Sequence, residues 1–92
     1  MTNVLISYDL HKIRNYQPLW DGLAKIGATR LLESLWVVTV AADVANVRDA
    51  LAGLVDNDDS LAVIELPVGT SWSTRAARSG GVAWLAKFVR AY

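Results

Sequence analysis

TRLLESLWVVTVA, residues 29–41, decides the fold. The stretch is rich in β-branched and apolar residues, yet it is far longer than an average strand of about 5–6 residues. It therefore reads as two strands with a tight break near Ser34. Upstream, residues 3–9 place Val4, Ile6 and Tyr8 on one alternation and Leu5 and Ser7 on the other, a strand apolar on both faces. Between them, Tyr16, Leu19, Trp20, Leu23 and Ile26 recur at spacings of three and four, one helical face. Asn15 can cap that helix, Pro18 is tolerable in its first turn, and Gly27 can stop it.

Downstream, Val44, Val47, Leu51 and Leu54 give a second helix after Asp43, and DNDD at 56–59 is a polar turn. SLAVIELP, residues 60–67, is a strand closed by Pro67. The order is strand–helix–strand–strand–helix–strand, followed by a loop over 68–81 and a helix over 82–92. That order predicts an α+β fold of the ferredoxin-like βαββαβ type. Its four-stranded antiparallel sheet carries two helices on one face, with a C-terminal helix added. The chain is read as a single domain, 1–92, with its core in 1–67.

The strands are apolar on both alternations, and an apolar sheet face of several hundred Å² is rarely left bare on a monomer. Either a partner subunit or the C-terminal helix must cover the second face. The apolar share of 53% in only 92 residues favours a homodimer. No basic region leads into an apolar run at the N-terminus, as a signal peptide would require. No apolar run approaches membrane-spanning length, so no membrane partner is expected. The absence of cysteine excludes disulfides, thiolate chemistry and zinc–cysteine sites, and suits a cytoplasmic protein.

The net charge of zero hides a segregated distribution. Residues 1–32 are net basic, 33–66 strongly acidic, and 67–92 hold Arg75, Arg78, Lys87 and Arg90 with no acid. A neutral chain of this kind can still present a basic face to nucleic acid.

Four features can carry chemistry. Asp9 ends the first strand, where it either caps the next turn or ligates a metal. One or two carboxylates with waters and phosphate oxygens suffice for Mg²⁺, and two Asp9 side chains meeting across a dimer axis would supply them. In RLLESLW, residues 30–36, Arg30 and Ser34 are four apart, which in a straight strand puts both on one face. They are then a solvated strand end and a turn residue, or a phosphate-pairing cation and a hydroxyl donor.

YDL at 8–10, the helix ending at Gly27, the Arg-x-x-x-Ser-aliphatic-aromatic stretch and the DD-turn before the last strand together resemble the Cas-two family. These are CRISPR-associated endonucleases, akin to VapD-type toxins and to stand-alone SinR-like proteins. The resemblance covers residues 1–67. It implies a ferredoxin-like homodimer whose metal-binding aspartate is Asp9, with Arg30, Ser34 and Trp36 matching the second-strand motif. It further implies Mg²⁺- or Mn²⁺-dependent hydrolysis of RNA or DNA phosphodiesters in some members, and a purely structural role bridging integrase subunits in others. Where CRISPR members usually carry a fifth strand, this chain has SWSTRAARSGG and a helix, as SinR-like proteins do. Integrase docking is therefore not expected.

The loop GTSWSTRAARSGG, residues 69–81, is either a plain connection with Trp72 tucked against the core or a place where Arg75, Arg78 and Trp72 meet phosphates and an unstacked base. It lacks P-loop spacing. His11 follows Asp9 closely. It is either simply exposed or a proton shuttle for a metal at Asp9, with Lys12 and Arg14 placed to touch a bound strand. Two functions follow: a metal-dependent endonuclease, or a non-catalytic dimeric module that binds nucleic acid or a protein partner in a toxin–antitoxin or mobile-element system. No cofactor motif and no nucleophile–base pair is present.

Overall fold

The computed structural model describes residues 1–9 and 16–91. Its elements are β1 (Thr2–Asp9), α1 (Gln17–Lys25), β2 (Thr29–Leu32), β3 (Leu35–Val40), α2 (Val44–Ala52), β4 (Ser60–Glu65) and α3 (Ser79–Phe88). The four strands form one antiparallel sheet in the order β2-β3-β1-β4. This α+β fold of one four-stranded sheet and three helices is compatible with a ferredoxin-like arrangement. Among the described residues, no helix is long and apolar enough to cross a membrane.

The break expected near Ser34 falls at Glu33–Ser34, between β2 and β3. Gly27 ends α1 with φ +83, a conformation that glycine adopts without steric cost. Its N–H donates to Ala24 O at 3.0 Å and that of Ala28 to Leu23 O at 2.9 Å, a Schellman stop. The helix begins with Tyr16 at the cap position and Pro18 in the first turn; Asn15, expected as the cap, lies outside the described residues. Asp43 caps α2 as its position suggests, accepting from Asn46 N at 2.8 Å.

Two apolar cores flank the sheet. On one face Val4, Ile6, Tyr8, Trp36 and Val38 pack with Leu19 and Leu23 of α1 and Val47 and Leu51 of α2. On the other, Leu31 and Val37 pack under Trp84, Leu85 and Val89 from α3 and the turn after it. The C-terminal helix, not an absent partner, therefore covers the β2–β3 half of the second face. The β1–β4 half stays open: Ala62 is exposed and Ile64 is 55% exposed.

The C-terminal helix starts at Ser79, three residues earlier than the sequence suggests. Ser-Gly-Gly has poor intrinsic helix propensity, but tertiary contact requires it here. A Cβ on Gly81 would lie 2.6 Å from Leu31 Cα and 2.8 Å from Arg30 O. Only glycine lets the first turn of α3 rest directly on the backbone of β2.

Candidate metal and nucleic-acid site

The chain direction in each strand brings the C-terminal end of β1, the β2–β3 turn and the start of β4 to one end of the sheet. Ser7 pairs with Leu35, and Tyr8 N donates to Ser34 O at 3.3 Å, which extends that ladder by one step. Continued once more, the register sets Glu33 level with Asp9, while on its other side Asp9 pairs with Ser60.

Asp9, Glu33 and Ser34, all exposed, line a cleft of about 340 Å³ together with Tyr8, Tyr16 and Trp20. Its wall is built from aromatic rings. Tyr16 and Trp20 stack with centroids 5.4 Å apart, and Tyr8 tilts against Tyr16 at 6.2 Å. The Tyr8 hydroxyl is a hub: it accepts from Trp20 Nε1 at 2.8 Å and Trp36 Nε1 at 3.4 Å, and donates to Glu33 O at 3.4 Å. These bonds tie the first turns of α1 to the β2–β3 turn and so set the shape of the cleft. A shallower depression of about 160 Å³ on the far side of Asp9 is lined by Ser7, Ser60, Leu61 and Ala62.

Arg30 and Ser34 do not share a strand face, because the turn separates them. Arg30 lies on the face covered by α1 and α2, across from Trp36. Its guanidinium carbon sits 4.8 Å from the Trp20 ring centroid and 4.6 Å from that of Trp36, a cation–π sandwich. Its Nε is buried without a hydrogen-bond partner. Arg30 thus holds the two indoles at the back of the cleft rather than standing free at a strand end.

Arg75 and Arg78 are exposed on the α3 side and do not line this cleft. The backbone N–H of Arg78 donates to Leu31 O at 2.9 Å, along the outer edge of β2. Trp72 packs against the second core and its indole N–H donates to Arg90 O at 2.9 Å, so the tucked position holds for it. Leu10, His11, Lys12 and Arg14 lie outside the described residues.

Three further acids lie at the same end of the sheet. Asp56, Asp58 and Asp59 bring one carboxylate oxygen each within 4.8 Å of one another, in the turn before Ser60. Asp56 N donates to Asp59 Oδ2 at 2.9 Å, which shapes that turn. The tip of the sheet is thus acidic, while the α3 side is basic.

Sequence reasoning missed Glu33, Tyr8, Tyr16 and Trp20 as cleft residues. The signal was present: a turn at Ser34 between antiparallel neighbours necessarily brings residue 33 to the level of the β1 tip. No protein-family model matches the chain.

Proposed function

We propose that this chain is a divalent-metal-dependent endonuclease acting on RNA or DNA phosphodiesters, with a ferredoxin-like fold akin to Cas-two-like and SinR-like proteins. The observation that carries the proposal is the shared cleft of Asp9, Glu33 and Ser34 against the Tyr16–Trp20 stack. Its described donors are carboxylate and hydroxyl oxygens, the hard ligands that Mg²⁺ and Mn²⁺ take, and one or two carboxylates suffice where waters and phosphate oxygens complete the shell. Asp9 and Glu33 would hold the ion, which supplies an activated water and neutralises charge on the phosphoryl oxygens.

The remaining residues bind and orient. Ser34 donates to a phosphate oxygen, and the Tyr16–Trp20 wall offers a π-face to an unpaired base. Arg30 keeps that wall fixed and adds positive potential behind it. His11 follows Asp9 by two positions and is the proton-shuttle candidate; Lys12 and Arg14 would contact the nucleic-acid backbone, as would Arg75 and Arg78 from the α3 side. In this assignment the chain is a cytoplasmic homodimer. An ion shared by two Asp9 side chains is the competing arrangement.

The test is cleavage of labelled single-stranded RNA and duplex DNA in Mg²⁺, Mn²⁺ or EDTA, by wild type, Asp9→Asn and Glu33→Gln. Both variants should lose about 100-fold or more in rate, since the ion contributes several kcal/mol. Mn²⁺ binding followed by electron paramagnetic resonance should weaken in both. Full cleavage by Asp9→Asn overturns the site.

A non-catalytic nucleic-acid-binding or partner-binding module is the second function. What favours it is the segregation of Arg75, Arg78, Lys87 and Arg90 away from Asp9, with no acid in 67–92. Its mark would be salt-dependent binding indifferent to EDTA and to Asp9→Asn.

A further inference from the structure

The two edges of the sheet differ. The β2 edge is short, bulged between Arg30 and Leu32, and hydrogen-bonded by Arg78. β4 is the other edge, six residues long and regular in register, with the sequence SLAVIE. Leu66 N donates to Asn3 O at 2.8 Å. By strand alternation, residues 60, 62 and 64 then turn their backbone groups toward β1, whereas Leu61, Val63 and Glu65 turn theirs outward. No described residue accepts from or donates to those outward groups. Natural proteins blunt such edges with lysine, proline or a bulge, and this strand has none of the three.

We propose that the β4 edge pairs antiparallel with the β4 edge of a second copy of this chain, about a two-fold axis at Val63. Two-fold symmetry requires opposed residues to share a face, so the axis falls on a residue, and β4 offers two central choices. Centred on Ala62, the pairing would set Asp59 opposite Glu65 of the second copy, like charges directly across a ladder. Centred on Val63, it sets the outward backbone groups of Val63 against themselves and those of Leu61 against Glu65 of the second copy. On the open face it lays the exposed Ile64 against the small Ala62 of the second copy. The strand is self-complementary in hydrogen bonds, size and charge only in this register.

This pairing fixes where the two Asp9 residues lie. Asp9 pairs with Ser60, so the two tips are offset by six residues, roughly 20 Å at strand rise, and by three strand spacings, roughly 14 Å. They stand about 24 Å apart, too far to share an ion. Each cleft, if it is the metal site proposed above, belongs to one chain.

Sedimentation of the full chain at about 100 μM should give twice the chain's 10.0 kDa. Val63→Pro removes an outward N–H that β1 does not use, and should sediment as a monomer with the wild-type circular dichroism spectrum. Val63→Cys in this cysteine-free chain should form a disulfide dimer under mild oxidation far faster than Ala45→Cys on α2. The opposed Cα atoms, about 5.5 Å apart, suit the bond. A monomeric wild type overturns the proposal. So does a dimer that persists in folded Val63→Pro, or one in which Val63→Cys fails to cross-link. If Val63→Pro does not fold, the cross-linking comparison decides. An inactive protein that still dimerises through Val63 overturns only the nuclease assignment.

Discussion

Gly81→Ala tests how the C-terminal helix is seated. On an isolated helix, alanine in place of glycine would add about 1 kcal/mol of stability. Here the new methyl would stand 2.6 Å from Leu31 Cα, 2.8 Å from Arg30 O and 2.8 Å from Leu31 Cδ1. Two of these are backbone atoms of a sheet strand and cannot swing aside as a side-chain tip would. The helix must lift instead, loosening Trp84 and Leu85 over Leu31 and Val37. Overpacking of this kind costs about 1–3 kcal/mol, and the lost contacts deepen it, so a net destabilisation of about 2 kcal/mol is expected after the propensity gain. For a domain of this size that lowers Tm by roughly 10 °C. Gly53→Ala is the matched control: its methyl would meet only Ala50 O at 3.7 Å, and φ is −68. It should raise stability by about 0.5–1 kcal/mol. Thermal and urea unfolding followed by circular dichroism read both variants. Gly81→Ala melting at or above wild type would refute direct contact between α3 and β2.

Tyr8→Phe removes the acceptor of two indole N–H groups and should cost about 1–3 kcal/mol, read by urea unfolding together with a shift in tryptophan emission. Asp43→Ala deletes the α2 cap and should cost about 1 kcal/mol, with no effect on Mn²⁺ binding. Asp9→Asn and Glu33→Gln should leave the melting profile near that of wild type while abolishing cleavage, since both carboxylates are exposed; a collapse in stability would make them structural.

The elements were legible where the code is local. Strand alternation, the three-and-four spacing of α1 and α2, the Gly27 stop and the Asp43 cap all act within a few residues. The helix start at Ser79 was not legible, because glycine propensity and sheet contact pull in opposite directions and contact prevails. The same holds for the second sheet face. Its apolar alternation announces that something must cover it, but only the path of residues 66–78 brings α3 there. At the site, Asp9 could be picked out as a strand-tip carboxylate. Arg30 could not be placed, since its sandwich needs Trp20 and Trp36 from two other elements. Glu33 was hidden because Arg30 and Ser34 were weighed by their spacing on a straight strand, without following the break at Ser34 back to the β1 tip.

The two cores are also separated along the chain, which gives them an order in time. Every residue of the first core lies between Val4 and Val63, so a nascent chain can complete it early, as N-terminal parts of growing chains do. The second core needs Trp84, Leu85 and Val89, all of which follow the first core in the chain. They are then fastened by Asn3 Nδ2 to Phe88 O at 2.8 Å and Gly69 N to Val89 O at 2.7 Å. Until synthesis reaches them, Leu31, Leu35 and Val37 face water on the β2–β3 half of the sheet, while at the opposite edge the outward backbone groups of β4 have no partner among the described residues. The newborn protein thus carries two adhesive surfaces at once, and the final turns of α3 remove one of them.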